Sequence, residues 1–200
     1  MAIEPSAVMR SQSKAHPAIT WIDASAESLS LPSKSVDAAI CMLALHHFRS
    51  MAVAFVGMSR VVKHGPIVLF TLDPRVSQHF WLADYFPGIF QTAYQIFPPI
   101  EDVKSMLAQA TGRIVTDIAF PLPSDLHDAF LAAYWKKPEL YLQPEVRAGM
   151  SGFVLADKAE VESGLERLST ELKDGAWQQK YGEVLTWNNL DAGYRFIVAS

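Results

Sequence analysis

Residues 37–42 read DAAICM, residues 50–63 read SMAVAFVGMSRVVK, and residues 66–72 read PIVLFTL. The first and third are short unbroken apolar runs, the pattern of strands buried on both faces. The run between them has helical length and spacing, and His64-Gly65-Pro66 closes it with a helix-ending signal. Strand, helix, strand with short loops is a right-handed crossover in a parallel sheet.

The same alternation continues on both sides. Residues 18–23 (AITWID) follow Pro17 as a short β-branched and aromatic strand. Residues 100–110 form an amphipathic helix, opened by Pro98-Pro99 and closed by Thr111-Gly112. Residues 113–120 (RIVTDIAF) and 193–199 (GYRFIVA) are further strands. The pattern predicts an α/β fold with a doubly wound, mostly parallel sheet over residues 1–200. Between the last strands the texture changes. Residues 124–135, with Ser124 or Asp125 as cap, and residues 157–172 read as helices around the proline-marked stretch 138–144. Residues 124–191 therefore read as a helical insertion before the last strand.

Composition narrows the function. The chain has 200 residues, 50% of them hydrophobic and 19% charged, with a net charge of −4. That supports one domain with a real core and argues against disorder. No basic stripe is present, so a nucleic-acid backbone is not the expected partner. No apolar stretch is long enough to span a bilayer, and no secretory signal opens the chain. The single cysteine, Cys41, excludes an internal disulfide framework and a cysteine-based zinc cluster. A cytoplasmic location is the expectation.

In an open parallel sheet the ligand sits at the carboxyl ends of the strands, so the residues just after each strand carry the chemistry. The chain opens Ile3-Glu4-Pro5-Ser6, an acid before a proline-started helix, which suits a ribose with two hydroxyls. Asp23-Ala24-Ser25-Ala26-Glu27-Ser28-Leu29 follows the next strand, and Leu45-His46-His47-Phe48 follows the strand at 37–42.

The ordered set EPS, AESLSLPSKSVD, LALHHF and SRVVKHG resembles the methyltransferase type 11 group of class I S-adenosylmethionine-dependent methyltransferases. The resemblance covers residues 3–75 closely and continues loosely to the end. It implies a Rossmann-like fold, S-adenosylmethionine as methyl donor, and a small-molecule methyl acceptor. It assigns Glu4, with Pro5 beside it, to the ribose. Ser25, Ala26 and Glu27 match the loop that meets the adenine ring, with Ser25 where relatives often have aspartate. Met42, Leu43 and Ala44 match the segment beside the methionine moiety. His46 and His47 match the family's paired histidines at the mouth of the acceptor pocket, where either could act as a base. A nicotinamide-dependent oxidoreductase shares the fold class and the ribose acid, but the LHHF and SRVVKHG segments argue for methyl transfer.

The glycine-rich turn of that family is not in the chain. It should precede Ile3 by roughly twenty residues, as in dinucleotide-binding folds, and no G-x-G occurs anywhere in the sequence. In the parent topology the first strand is central, so its loss strands the edges of its two neighbours. Each buried unpaired group costs about 1–3 kcal/mol. The expectation is a shortened copy of a longer enzyme. The alternative is a catalytically dead module that acts by association, since exposed sheet edges invite self-pairing.

Other residues carry paired readings. Adjacent in sequence, His46 and His47 are expected to point apart, which disfavours a shared metal. Cys41 reads as a buried hydrophobe. Arg60 could bind a carboxylate substrate or anchor its helix to the sheet by a salt bridge. Asp73 could face the acceptor or start a turn. The aromatic run from Phe80 to Phe97 could be a lid over the acceptor or helical core. The charges at 157–174 read as a solvated helix face.

Overall fold

A computed structural model describes residues 1–13, 15–77, 80–127 and 129–200. The chain divides into two compact units. The first comprises Met1–Thr71, Ile100–Asp117 and Phe196–Ser200; the second comprises Leu72–Pro99 and Ile118–Arg195.

The first unit opens with β1 (Ala2–Ile3), α1 (Ala7–Gln12) and β2 (Trp21–Ile22). β1 and β2 pair in parallel, Ile3 opposite Ile22. β3 (Ala39–Met42), α2 (Met51–Val61) and β4 (Ile67–Leu72) then form the crossover expected from the sequence. β3 and β4 are parallel, with Cys41 opposite Leu69. Adding β5 (Val115–Ala119) and β8 (Tyr194–Ala199), the larger sheet has the order β3-β4-β8-β5, and β1-β2 is a separate sheet. Thus β3 has one strand neighbour, β4, among the described residues.

Strand alternation puts successive side chains on opposite faces. One face of the larger sheet offers Cys41, Ile67, Leu69, Ile197 and Ala199 to α2 and to α6 (Ile100–Thr111). Phe55, Met58 and Val61 recur at helical spacing on α2 and complete this core with Val103 and Leu107 of α6. The other face of β3 is bare: Ile40 is 69% and Met42 54% exposed. The sequence reading of residues 37–42 as buried on both faces is therefore corrected. Cys41 packs on helices, and nothing among the described residues covers Ile40 and Met42. Gly65 makes the turn into β4 possible, because its amide donates to the Asp37 carbonyl and a side chain there would collide with that oxygen.

The second unit contains α3 (Pro74–Ser77), α4 (Leu82–Tyr85), α5 (Pro87–Ile96), β6 (Leu122–Pro123), α7 (Pro144–Ala148), α8 (Ser151–Leu155), α9 (Lys158–Asp174), α10 (Ala176–Tyr181) and β7 (Asn189–Leu190). β6 and β7 pair antiparallel. Residues 124–191 fall within this unit together with 72–99. The helix expected over 124–135 does not form. Residues 130–137 fold instead as successive turns, Phe130 O accepting from Ala133 N and Tyr134 O from Lys137 N. The cause is tertiary: Trp135 is fully buried and its indole N–H donates to Pro123 O. Asp128 in that stretch lies outside the described residues. The helix read at 157–172 does form as α9, with Asp157 accepting from Glu160 N as its cap.

Trp81 sits at the centre of the second unit, edge-on to Tyr85, Tyr141 and Trp177, and its indole donates to Trp135 O at 2.9 Å. Phe80, Trp81, Tyr85, Phe86 and Phe90 are all buried. The aromatic run is thus core, which settles the choice against a lid for these side chains. The charges on α9 belong to the same packing. Arg167 stacks on the Tyr85 ring and donates to Asp84 O, Tyr85 donates to Glu171, and Glu160 accepts from Gly88 N at the start of α5. This face of α9 is engaged, not simply solvated. α9 can approach α4 because residue 164 is glycine; a side chain there would run into Tyr85 O and the Phe86 ring.

Candidate functional site

The carboxyl tips of β1 and β2 lie side by side. Glu4 N donates to Ile22 O at 3.2 Å, so Glu4 and the loop beginning at Asp23 leave from neighbouring strand ends. Glu4 is half-buried, and its Oε1 accepts from Ser6 N at 2.8 Å. That bond folds the carboxylate over its own turn, where Ser6 caps α1. Arg10, which sequence reasoning passed over, braces both tips: it donates to Glu4 O at 2.6 Å and to Asp23 Oδ2 at 2.8 Å. Pro5 is exposed.

The loop at 25–31 rests on α2. Ser25, Ala26 and Glu27 are half-buried. Glu27 Oε1 accepts from Arg49 N at 2.7 Å and from Ser50 N at 3.4 Å. Burial pushes the Glu27 carboxyl up, but its own amide, the Ser25 hydroxyl and the Arg49 and Ser50 amides outweigh that and hold it below the usual value. Arg60 donates to Leu31 O at 2.6 Å and Leu29 O at 2.8 Å. The salt bridge considered for Arg60 is corrected: its partners are backbone carbonyls of this loop, satisfied at two points by one planar fork. Spacing along the sequence gave no signal for either contact.

The end of β3 carries an unusual backbone. Leu43 has φ 48°, the left-handed region that costs a branched residue free energy. Its amide donates to Phe70 O at 2.8 Å, which holds the conformation. Met42 is exposed, Leu43 half-buried. The chain then makes one tight turn, Leu45–His47, closed by Phe48 N donating to Leu45 O. The rings of His46 and His47 lie 3.9 Å apart between centroids, so the expectation that they point apart is corrected. A turn this tight brings consecutive side chains together where an extended strand would separate them. Burial, and secondarily the neighbouring His47, push the His46 imidazole down to about 4, so His46 is neutral near pH 7. Cys41 is buried and burial pushes its thiol up to about 11, which makes it a packing residue. Among the described residues no group of His, Cys, Asp and Glu is arranged to hold a metal ion. No helix among them is long and apolar enough to cross a membrane.

At the start of the second unit, Asp73 Oδ1 accepts from Arg75 N and from its guanidinium, both at 3.0 Å. Of its two readings, the turn-starting one is the one seen.

β1 and β2 pair in parallel, as do β3 and β4, and their tips lead into Glu4, the 25–31 loop and the His46–His47 turn. The chain matches the family described as "Methyltransferase domain" over residues 1–70. Over 99% of its length it is 47% identical to a protein of Anabaena variabilis, described as a methyltransferase of an antibiotic biosynthesis pathway. The two structures superpose with a TM-score of 0.95, and the chain covers 80% of that protein. The YcgJ protein of Bacillus subtilis is 16% identical, with a TM-score of 0.51 over 98% of this chain and 78% of that one. A sarcosine dimethylglycine methyltransferase of Galdieria sulphuraria is 14% identical, with a TM-score of 0.50 over 98% and 67%. Comparison with curated proteins returned no match. The chain belongs to the class I S-adenosylmethionine-dependent methyltransferases and has their α/β fold. Its activity class is methyl transfer from S-adenosylmethionine.

Proposed function

We propose that this chain transfers the methyl group of S-adenosylmethionine to a small-molecule acceptor, using Glu4, Pro5, Ser25, Ala26, Glu27, Met42, Leu43, His46 and His47. The observation that carries this is the hydrogen bond from Glu4 N to Ile22 O, which sets the ribose acid beside the start of the adenine loop. The bound cofactor supplies a methyl on a sulfonium, already a strong electrophile.

The chain's own residues bind and orient. Glu4, held by Ser6 N, presents its carboxylate to paired hydroxyls. Ser25 and Ala26 line the adenine side, with the missing aspartate contact falling to the backbone. The left-handed turn at Leu43 is strain of the kind that collects at binding sites, which supports the 42–44 backbone as the segment beside the methionine moiety. His46, neutral near pH 7, stands on the acceptor side and can take a proton when the acceptor must lose one. In-line alignment and exclusion of water supply the rest of the rate.

We further propose that the site works within a longer chain, in which a strand lies along the second edge of β3 and helices cover Ile40 and Met42. Three observations favour this: β3 has one strand neighbour among the described residues, Ile40 and Met42 are exposed, and the chain covers 80% of its Anabaena relative. The same exposed edge favours the alternative of association through the sheet. Calorimetric titration of S-adenosylhomocysteine into this chain and into an upstream-extended form separates them. Binding by the extended form alone is the expected result. Binding by neither form, with a concentration-dependent dimer, would replace catalysis by association.

A further inference from the structure

Three contacts fasten the 25–31 loop to α2, and they differ in what they reach. Arg60 holds Leu29 O and Leu31 O from the last turn of α2. Gly57, in the middle of the helix, admits the Ala26 carbonyl, which would lie 3.3 Å from a Cβ there. Glu27 alone reaches beyond the helix. Its Oε1 accepts from Ser50 N, the capping residue, and from Arg49 N, which belongs to the segment that leads out of the His46–His47 turn. Ser50 Oγ in turn accepts from Val53 N, so the carboxylate sits where the helix dipole favours a negative charge.

We propose that Glu27 is a positioning residue, a buckle that fixes the His46–His47 turn to the 25–29 loop, and not a ligand of the adenine ring. The proposal rests on the site reading above for the identity of the two ends it joins. One carboxylate oxygen, Oε1, takes both backbone amides, so the side chain is committed to the Arg49–Ser50 segment. Without the carboxylate those amides lose their acceptor, and the segment that leads from the histidine turn into α2 loses its tie to the 25–29 loop, although the turn keeps its own bonds, Phe48 N to Leu45 O and His47 N to Ala44 O. The same bonds, with the Glu27 amide and the Ser25 hydroxyl, outweigh burial and hold the Glu27 carboxyl below its usual value, which favours the ionised form that accepts both amides. Nucleoside end and acceptor end would then move as one piece, and the loop's seating would be felt at the histidines.

The test is to compare Glu27→Ala and Glu27→Gln in the upstream-extended chain, reading the imidazole signals of His46 and His47 by NMR. The glutamine variant keeps an oxygen for both amides and should preserve the wild-type histidine signals. The alanine variant should shift both and weaken S-adenosylhomocysteine binding about tenfold. Addition of S-adenosylhomocysteine should move the histidine signals with Glu27 in place and no longer do so in Glu27→Ala. Unchanged histidine signals in Glu27→Ala, with binding weakened, would overturn the proposal and make Glu27 a direct ligand. So would a glutamine variant as impaired as the alanine one. Should Glu27→Ala fail to fold, Glu27→Asp, one methylene short of the Arg49 amide, gives the same comparison; unaltered histidine signals there also overturn it. Failure of the extended chain with Glu27 to bind S-adenosylhomocysteine counts against the site reading, and the ligand-free histidine spectra still decide the buckle.

Discussion

In the first unit, Ile40 and Met42 of β3 stand 69% and 54% exposed, whereas in the second unit Trp81, Phe86, Tyr141 and Trp177 are 3% exposed or less. Both sets come from apolar stretches of sequence. What separates them is the covering layer. Trp81 is wrapped by α4, α10 and the segment around Tyr141, so its ring contacts close on all sides. Among the described residues β3 has α2 and α6 on one face and no cover on the other. Apolarity reports what a residue prefers, and the neighbours decide whether that preference is met.

The contrast gives its largest expected effect on truncation. Trp81→Ala should cost about 4 kcal/mol in urea unfolding, the loss of a large buried ring and one hydrogen bond. Ile40→Ser should change stability by no more than about 0.5 kcal/mol in this chain, as a surface substitution does. A mild Trp81→Ala accompanied by altered acceptor binding would restore the lid reading. Gly164→Ala comes next. Its methyl group meets Tyr85 O and the Phe86 ring, and the variant should lose about 3 kcal/mol by thermal unfolding. A neutral outcome would mean that α9 does not cross α4 closely.

A pH effect follows for the first unit. The His46 imidazole is pushed down from 6.5 to about 4 by burial and by His47. Its folded value lies below the unfolded one, so the unfolded chain binds the extra proton. The contribution to stability is full above about 6.5 and is lost as pH falls toward 4. NMR titration should find His46 near 4, and His46→Gln should flatten the stability profile in that window. A His46 that titrates near 6.5 would contradict this. The smallest effect belongs to Asp84 in the second unit, half-exposed and paired with Lys180 at 3.0 Å and with Tyr181. Burial pushes its carboxyl up, but Tyr181 and Lys180 outweigh that and hold it below its ordinary value. Asp84→Asn should cost under about 1 kcal/mol at neutral pH. That difference should persist above pH about 4 and fade as the carboxyl protonates at lower pH.

Much of the first unit was legible in the sequence because local signals agree with the fold there. Ser50 caps α2, Gly65-Pro66 ends the approach to β4, and Phe55, Met58 and Val61 fall at helical spacing. Those signals act within a few residues. The contacts that organise the candidate site do not: Glu27 meets Arg49 and Ser50, Arg60 meets Leu29 and Leu31, and Leu43 meets Phe70. Each joins a side chain or strained amide to a backbone group distant in sequence, and a backbone group has no residue type to read. Residues 124–135 misled for a related reason. Their composition suits a helix, but burying Trp135 against Pro123 O outweighed local propensity. The paired histidines were found by their motif, while the close approach of their tilted rings depended on a turn geometry that the motif does not state.

The proposed function requires Glu4 to bind the ribose of the cofactor. Titration of S-adenosylhomocysteine into the upstream-extended chain, with Glu4 intact and as Glu4→Ala, measures this directly. Binding that weakens by about a hundredfold, two hydrogen bonds to a charged acceptor, with unfolding behaviour unchanged, is the predicted result. Equal affinity for the two proteins would contradict it.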